Sequence, residues 1–491
     1  MLIVAPADRG HFQWTLPLQA SLRARGKRVE LWTHEVAAAW LPDNATTTSE
    51  SDSAAAPLVV RAELGDGRML SQFVRAYKVA VSEGNSDADG YRLALSDGHA
   101  GLRRAMAQCG VPDAKAPGSD GFDDMLASVA GREALLERLC DGDVVVVAWE
   151  RVWCSWVPGL CSRAGVKRAA GHGGDHPGSG GPGATAVPSM GFMPSFLHPF
   201  RAHAGVEIYS FDGVSRVRDR RDDVDPPLLD APSVSFDMCY VIARALMGSV
   251  PLPVGRERVG VLLPADDADG LEANPLGDAL SAWLDGDGGD VTVVSLGSQS
   301  ALSTLSAHAE RSLLCGALAA SPRVLAASST NPASLSSSPE LAGALSNGRL
   351  RLESWLPQWL VLAHARVRVM ISHCGANSVH EAMANGVAVV PCPFFDDQWY
   401  IAMRLEQLYR GNGSDSPSEN GGAVSSGLGC GVSKELLRGP HDRAVAGVAD
   451  AVKQAFSIAP LLLHDLAASV RADSGTSRAA DLLLAKATLC G

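Results

Sequence analysis

Apolar residues do not fall evenly along this chain. They come in short runs of four to six separated by stretches with helical spacing, starting at the first residues. Residues 2–6 form an apolar run, residues 14–24 carry an amphipathic pattern, and residues 28–33 (RVELWT) read as a second strand. This is a βαβ opening. Residues 144–148 (VVVVA) form an unbroken apolar run after Asp143, the mark of a parallel strand covered on both faces. A Pro-containing connector at 251–258 (PLPVGRER) precedes further apolar runs at 259–263 and 291–295. A second α/β unit is expected to begin there. Residues 367–371 give one more buried strand, followed by a tight turn at 372–375 and a helix starting near Asn377 and Ser378. Three stretches rich in Gly, Ser, His or Pro, at 171–183, 328–338 and 411–426, read as surface loops.

Composition narrows the class. The chain has 491 residues, 46% apolar and 20% charged, which suits a globular protein of two or more domains. Its net charge of −12 argues against a nucleic-acid or anionic-membrane surface. The chain begins MLIVAP, without the basic and long apolar regions of a signal peptide, and no run of 18 or more apolar residues occurs, so no transmembrane segment is expected. Ten cysteines without CxxC pairing fit a reducing compartment, and the location expected is cytoplasmic.

The chemistry concentrates in residues 355–398. The strand, the His373-Cys374-Gly375 turn and the following helix aim unpaired N–H groups and the positive end of a helix dipole at one place, a ready site for a phosphate. Within this segment Trp355, Pro357, Gln358, His364, His373, Gly375, Asn377, Ser378, Glu381, Gly386, Pro391, Pro393, Asp397 and Gln398 stand in the register of a known signature box. The chain resembles the family-one uridine-diphosphate-dependent glycosyltransferases. The length from tryptophan to glutamine is that of the plant branch, and the likeness extends to Gly10-His11, Gly26, the turn at 295–298 and Met193-Pro194-Ser195. Residues 35–140 carry no matching motif.

The resemblance implies the GT-B fold: an α/β protein with two facing Rossmann-like domains, parallel sheets and a cleft between them. The expected division is an acceptor domain at 1–252, a nucleotide-sugar domain at 253–470, and a C-terminal helix at 471–491 packing back on the first domain. By the same resemblance Trp355 lies against the uracil, where stacking contributes roughly 1–3 kcal/mol. Gln358 reads the base or ribose, and Glu381 accepts from the ribose hydroxyls. His373, Gly375, Asn377 and Ser378 surround the diphosphate, Gly297 and Ser298 close its other side, and Asp397 and Gln398 hold the sugar. Taken singly, these residues have plainer readings: a core tryptophan, a solvated helix glutamate, a helix cap at Asn377-Ser378, a polar turn at 397–398.

His11, after the first strand, is the candidate general base, and Glu150 the candidate carboxylate behind it. Plant members carry an aspartate just after the strand corresponding to residues 144–147, so the alternative for Glu150 is a surface pair with Arg151. Ala376 replaces a tryptophan common in the plant box, which loosens any inference about the sugar. The partners implied are a UDP-sugar donor, glucose favoured by Gln398, and a small lipophilic hydroxylated acceptor. No metal and no resident cofactor is expected. Competing readings are a related nucleotide-sugar epimerase and a non-catalytic nucleotide-sugar-binding protein.

Overall fold

The computed structural model describes residues 1–41, 58–68, 127–150, 154, 156–171, 186–193, 208–209, 216–217, 238–247, 256–263, 276–297, 305–328, 335, 338–394, 397–410 and 431–489. Of the loops expected at 171–183, 328–338 and 411–426, residues 172–183, 329–334, 336–337 and 411–426 lie outside these residues, as does Arg151.

Two sheets carry the molecule. The first contains β1 (Leu2–Val4), β2 (Val29–Trp32), β3 (Leu58–Arg61), β4 (Val147–Glu150), β5 (Ser189–Met193), β8 (Met238–Tyr240) and β9 (Arg256–Arg258), in the order β3-β2-β1-β4-β5-β8-β9. The second contains β10 (Val291–Ser295), β11 (Arg323–Ala327), β12 (Leu350–Glu353), β13 (Val367–Ser372) and β14 (Ala388–Pro391), in the order β12-β11-β10-β13-β14. All pairs within both sheets are parallel, whereas the two-residue strands β6 (Ile208–Tyr209) and β7 (Arg216–Val217) make a separate antiparallel pair.

Burial explains why these runs are strands. In β1, Leu2 and Val4 enter one apolar cluster while Ile3 enters the cluster on the opposite face. β10 and β14 are buried throughout. Such strands need apolar residues at consecutive positions, the pattern seen in the sequence. β13 contains an arginine yet keeps its place, because the ladder skips Arg368: Val291 pairs with Val367 and Thr292 with Val369. The bulge turns that side chain out of the core.

Two expectations shift. The strand expected at 144–148 is β4, Val147–Glu150, because Val145 is 45% exposed and only the later residues pair with β1 and β5. The run at 259–263 is no strand of the second sheet. It is a buried connector held by Val261 N to Asp473 O (3.1 Å) and Gly475 N to Val261 O (2.7 Å). The strand lies just before it, at β9, so the first sheet runs past residue 252. As an edge strand β9 tolerates charge, and Glu257 pairs with Arg478 at 3.0 Å.

The C-terminal helix Thr476–Leu489 crosses back to the first sheet. Ala479, Ala480 and Leu483 are buried with Leu18 and Leu22 of the helix Thr15–Ala24. A second apolar cluster runs from Val4, Val147 and Trp149 through Ile242 and Leu246 into Val293, Met370 and Met383, so the two sheets share continuous packing. Among the described residues no single helix is long and apolar enough to cross a membrane.

The amino end of the first sheet is closed by a charged cluster. Arg138 donates through Nη2 (2.7 Å) and Nε (3.0 Å) to the two oxygens of Glu30, which is only 3% exposed, and through Nη1 (2.7 Å) to Asp143. Replacing Arg138 leaves a buried carboxylate without its main partner, so Arg138→Met should destabilise the fold by about 3 kcal/mol. Adding Glu30→Met should recover most of that loss, because both partners are then apolar. Urea midpoints of the two variants check both expectations.

Candidate active site

In each sheet there is one point where neighbouring strands lead off in opposite directions along the chain. In the first it lies between β1 and β4, in the second between β10 and β13. Such switch points open a crevice at the carboxyl ends of the strands. His11 and Glu150 flank the first crevice, Gly297 and His373 the second.

His11 sits in the short helix Arg9–Phe12, one loop beyond β1. Asp8 caps this helix, its Oδ1 accepting from Gly10 N at 3.1 Å. Phe12 and Trp14 anchor the segment in the core, with Trp14 stacked on Phe192 at 4.7 Å between centroids. Thr15 Oγ1 donates to Phe12 O at 2.7 Å. The anchored backbone turns the imidazole toward β4, where Nδ1 lies 3.0 Å from Glu150 Oε1. Glu150 is the last residue of β4, its backbone registered against Phe192, and it is fully buried. Its side chain therefore does not lie on the surface, where the alternative reading put it. A carboxylate on Nδ1 places the proton there and leaves Nε2 as the basic nitrogen. The His11 side chain keeps 23% of its surface, enough for a substrate hydroxyl to reach it.

On the other side, β13 ends in the turn Ser372-His373-Cys374-Gly375. Cys374 has φ 65, a left-handed conformation unusual for a side chain, and its N–H donates to Ser372 Oγ at 3.2 Å. Gly375 is the N-cap of the helix Ala376–Ala384 and contributes no side-chain cap. A Cβ at Gly375 would lie 2.4 Å from His373 Nε2, and one at Gly297, whose φ is 110, would lie 3.1 Å from the same nitrogen. The imidazole therefore folds into a space that only glycines leave, at the open start of a helix. This arrangement suits an anion.

Behind the turn, Gln358 gathers a polar network. Its Oε1 accepts from Ser295 Oγ (2.9 Å), and its Nε2 donates to Ser378 Oγ (3.2 Å) and Glu381 Oε2 (2.6 Å). Gln358 thus holds Glu381 in place beside the site where the resemblance puts the base and ribose. Burial pushes the Glu381 carboxyl up to about 7, against the pull of the Gln358 hydrogen bond. Gln398, expected on the sugar, is buried, with Oε1 accepting from Phe394 N at 2.9 Å. It ties the start of the helix Asp397–Tyr409 back to Phe394. Trp355 is half-buried in the loop after β12. Ser298 lies outside the described residues, and Asp397 is described only as the first residue of its helix.

Asn377 does something the sequence did not announce: Nδ2 donates to Gly10 O, 2.9 Å away in the other domain. One turn along the same helix, His380 Nε2 accepts from Ala243 N at 3.1 Å. Asp8 could have been found as a capping aspartate two residues before Gly10. A lone helical histidine such as His380 carries no signal. Among the described residues no three His, Cys, Asp or Glu side chains group to hold a metal.

Residues 259–413 match the family model described as UDP-glucoronosyl and UDP-glucosyl transferase. Over those residues the chain is similar to that family. It is 31% identical over 214 residues to the indole-3-acetate beta-glucosyltransferase of Zea mays, covering 43% of this chain and 41% of that protein. To the anthocyanidin 3-O-glucosyltransferase 2 of Fragaria ananassa it is 42% identical over 80 residues, covering 14% of this chain and 17% of the relative. The chain thus spans well under half the length of these curated relatives. Arabidopsis thaliana UGT89C1 complexed with quercetin superposes with a TM-score of 0.57 at 15% identity, covering 99% of this chain and 98% of that one. The chain has the GT-B fold, two Rossmann-like units with parallel sheets.

The raised Glu381 value has a consequence for stability. Above its ordinary value of 4.5 and on through about 7, folding holds a proton that the unfolded chain releases. The contribution is therefore full in acid and lost as pH rises through about 7. Thermal melting of wild type and Glu381→Gln should show the variant gaining on wild type as pH rises from about 5 to about 8. A constant difference across that range would contradict the assignment. Separately, Gly375→Ala should displace His373, the movable end of that contact, weakening anion binding, read by calorimetry with UDP as the probe, by about tenfold, or 1.4 kcal/mol, with little change in melting temperature.

Proposed function

We propose that this protein is an inverting glycosyltransferase that moves a hexose, glucose first, from a UDP-sugar to a hydroxyl of a small lipophilic acceptor. The observation that carries the reading is the 3.0 Å contact between His11 Nδ1 and buried Glu150 at the switch point of the first sheet. It faces a helix start in the second sheet whose turn matches the family's donor box. The glucosyltransferases among its relatives support the donor, and quercetin in a structure of the same fold supports a phenolic acceptor. We place the reaction in the cytoplasm, in keeping with the free thiols among the described cysteines.

His11 Nε2 takes the proton of the acceptor hydroxyl as its oxygen attacks the anomeric carbon. The bond from that carbon to the diphosphate oxygen breaks on the opposite face, so configuration inverts. Glu150 stabilises the imidazolium. Negative charge growing on the departing UDP meets His373 and the N–H groups at the start of the helix Ala376–Ala384, which are fixed before the reaction begins. Trp355 offers a face to the uracil, and Glu381 accepts from the ribose hydroxyls. Gln398 acts through its hold on Phe394.

UDP-glucose with a panel of phenols, sterols and flavonoids, read by mass, tests the proposal. His11→Ala should lower transfer by about 10²–10⁴-fold while UDP affinity by calorimetry stays within about threefold. Glu150→Gln keeps the shape and removes the charge, so transfer should fall by about 10²-fold or more. Full transfer by His11→Ala would remove the base from the mechanism. UDP-glucose binding with neither transfer nor slow hydrolysis would point to a non-catalytic binding protein, and conversion of UDP-glucose to UDP-galactose to an epimerase.

A further inference from the structure

The helix Ala376–Ala384 has two working faces. Ser378 and Glu381, three positions apart, join Gln358. Asn377 and His380, also three apart, reach instead into the other domain, to Gly10 O and to Ala243 N. His380 is 1% exposed, and burial pushes its pKa down to about 4, so it remains the neutral acceptor this contact requires. Two attachments on one face fix the rotation of the helix against the acceptor domain.

The first attachment falls on the residue next to the base. Gly10 N is held by Asp8 Oδ1 and Gly10 O by Asn377 Nδ2, so the peptide groups on both sides of the Gly10 Cα are pinned. The second of these peptides carries the backbone nitrogen of His11, whose ring is held in turn by Glu150. We infer that Asn377 is a positioning residue for His11: it commits one N–H of its amide to the Gly10 carbonyl and sets the distance between the catalytic imidazole and the donor helix, instead of serving chiefly as a ligand of the diphosphate. The inference rests on the reading of His11 as the base. It differs from the expected role of Asn377, which placed its side chain on the phosphates.

The experiment compares wild type, Asn377→Ala and Asn377→Ser, serine being well suited to a helix start, each alone and with His11→Ala. Hydrogen exchange by mass spectrometry on the unliganded protein reads the segment from 5 to 16. Calorimetry reads UDP affinity, and initial rates read UDP-glucose transfer to quercetin and UDP-glucose hydrolysis. The expected result is faster exchange in that segment, a kcat lowered by about tenfold or more, and UDP affinity and donor KM within about threefold of wild type. With His11→Ala already present, either substitution at 377 should cause no further loss of the residual hydrolysis, because the residue acts through the histidine. UDP affinity weakened by about tenfold with unchanged exchange would make Asn377 a phosphate ligand and overturn the inference. So would an equal loss in the His11→Ala background. Full transfer by His11→Ala would instead bring down the base itself, whereas normal exchange in Asn377→Ala with transfer still dependent on His11 would bring down only the clamp.

Discussion

Everything chemical in this molecule depends on two switch points being held face to face. A parallel sheet offers one crevice of this kind, with loops at its carboxyl edge and no side chain of its own crossing to the other domain. Here the crevice between β1 and β4 supplies a histidine backed by a carboxylate, and the crevice between β10 and β13 supplies an open helix start that suits an anion. Neither is sufficient for the proposed group transfer. What makes them one site is the registration of the two units, carried by continuous apolar packing through Ile242 and Leu246, by the return of the C-terminal helix, and by the Asn377 and His380 contacts.

Those ties differ in kind. The apolar cluster supplies adhesion but little direction, since dispersion and the hydrophobic effect vary slowly with a small slide. Hydrogen bonds to backbone atoms are directional and lose their strength within a few tenths of an ångström. The helix Ala376–Ala384 joins both functions: it is packed through Val379, Ala382 and Met383, and it is aimed through its polar faces. Gly375 and Cys374 belong to the same economy of space. The left-handed backbone at Cys374 lets the chain double back so that His373 folds beside two glycines, and the cost of that conformation, about 1–2 kcal/mol, is carried by the buried strand that precedes it.

The legibility of the sequence follows the range of the interactions. Residues 355–398 could be read because strand, turn, helix and box all lie within one short stretch, and β10 and β13 declared themselves through their concentration of Val, Met and Ile. His11 could be placed because it follows the first strand. What was missed depends on partners far away in the chain. Gly10 and Asn377 are 367 positions apart, and nothing near either residue signals the other. Residues 259–263 are apolar because they are buried between Asp473 and Gly475, a context that periodicity cannot separate from a strand. β9, written in arginine and glutamate, is a strand only because it lies at an edge with charged partners to meet it. Gln358 and Gln398 were assigned outward roles by their place in the box, while the structure turns their amides inward.

The carboxylate behind His11 shows how a departure in sequence can be absorbed by geometry. Plant members place an aspartate just after the strand; here Glu150 is still within β4, its Cα fixed by the ladder to β5. The Glu150 side chain spans the gap from the strand to the loop in which the histidine sits, and the 3.0 Å contact is its measure. The substitution has a second effect. An aspartate in a loop relies on local turns for its orientation, whereas Glu150 inherits its direction from a buried sheet with Trp149 and Phe192 fully covered beside it. Water reaches such a carboxylate with difficulty, so its interaction with the imidazolium is less screened than it would be at a loop surface. The longer side chain is therefore an alternative solution to the same geometric problem, one in which the position of the acid is set by the sheet and only the position of the base is set by the loop.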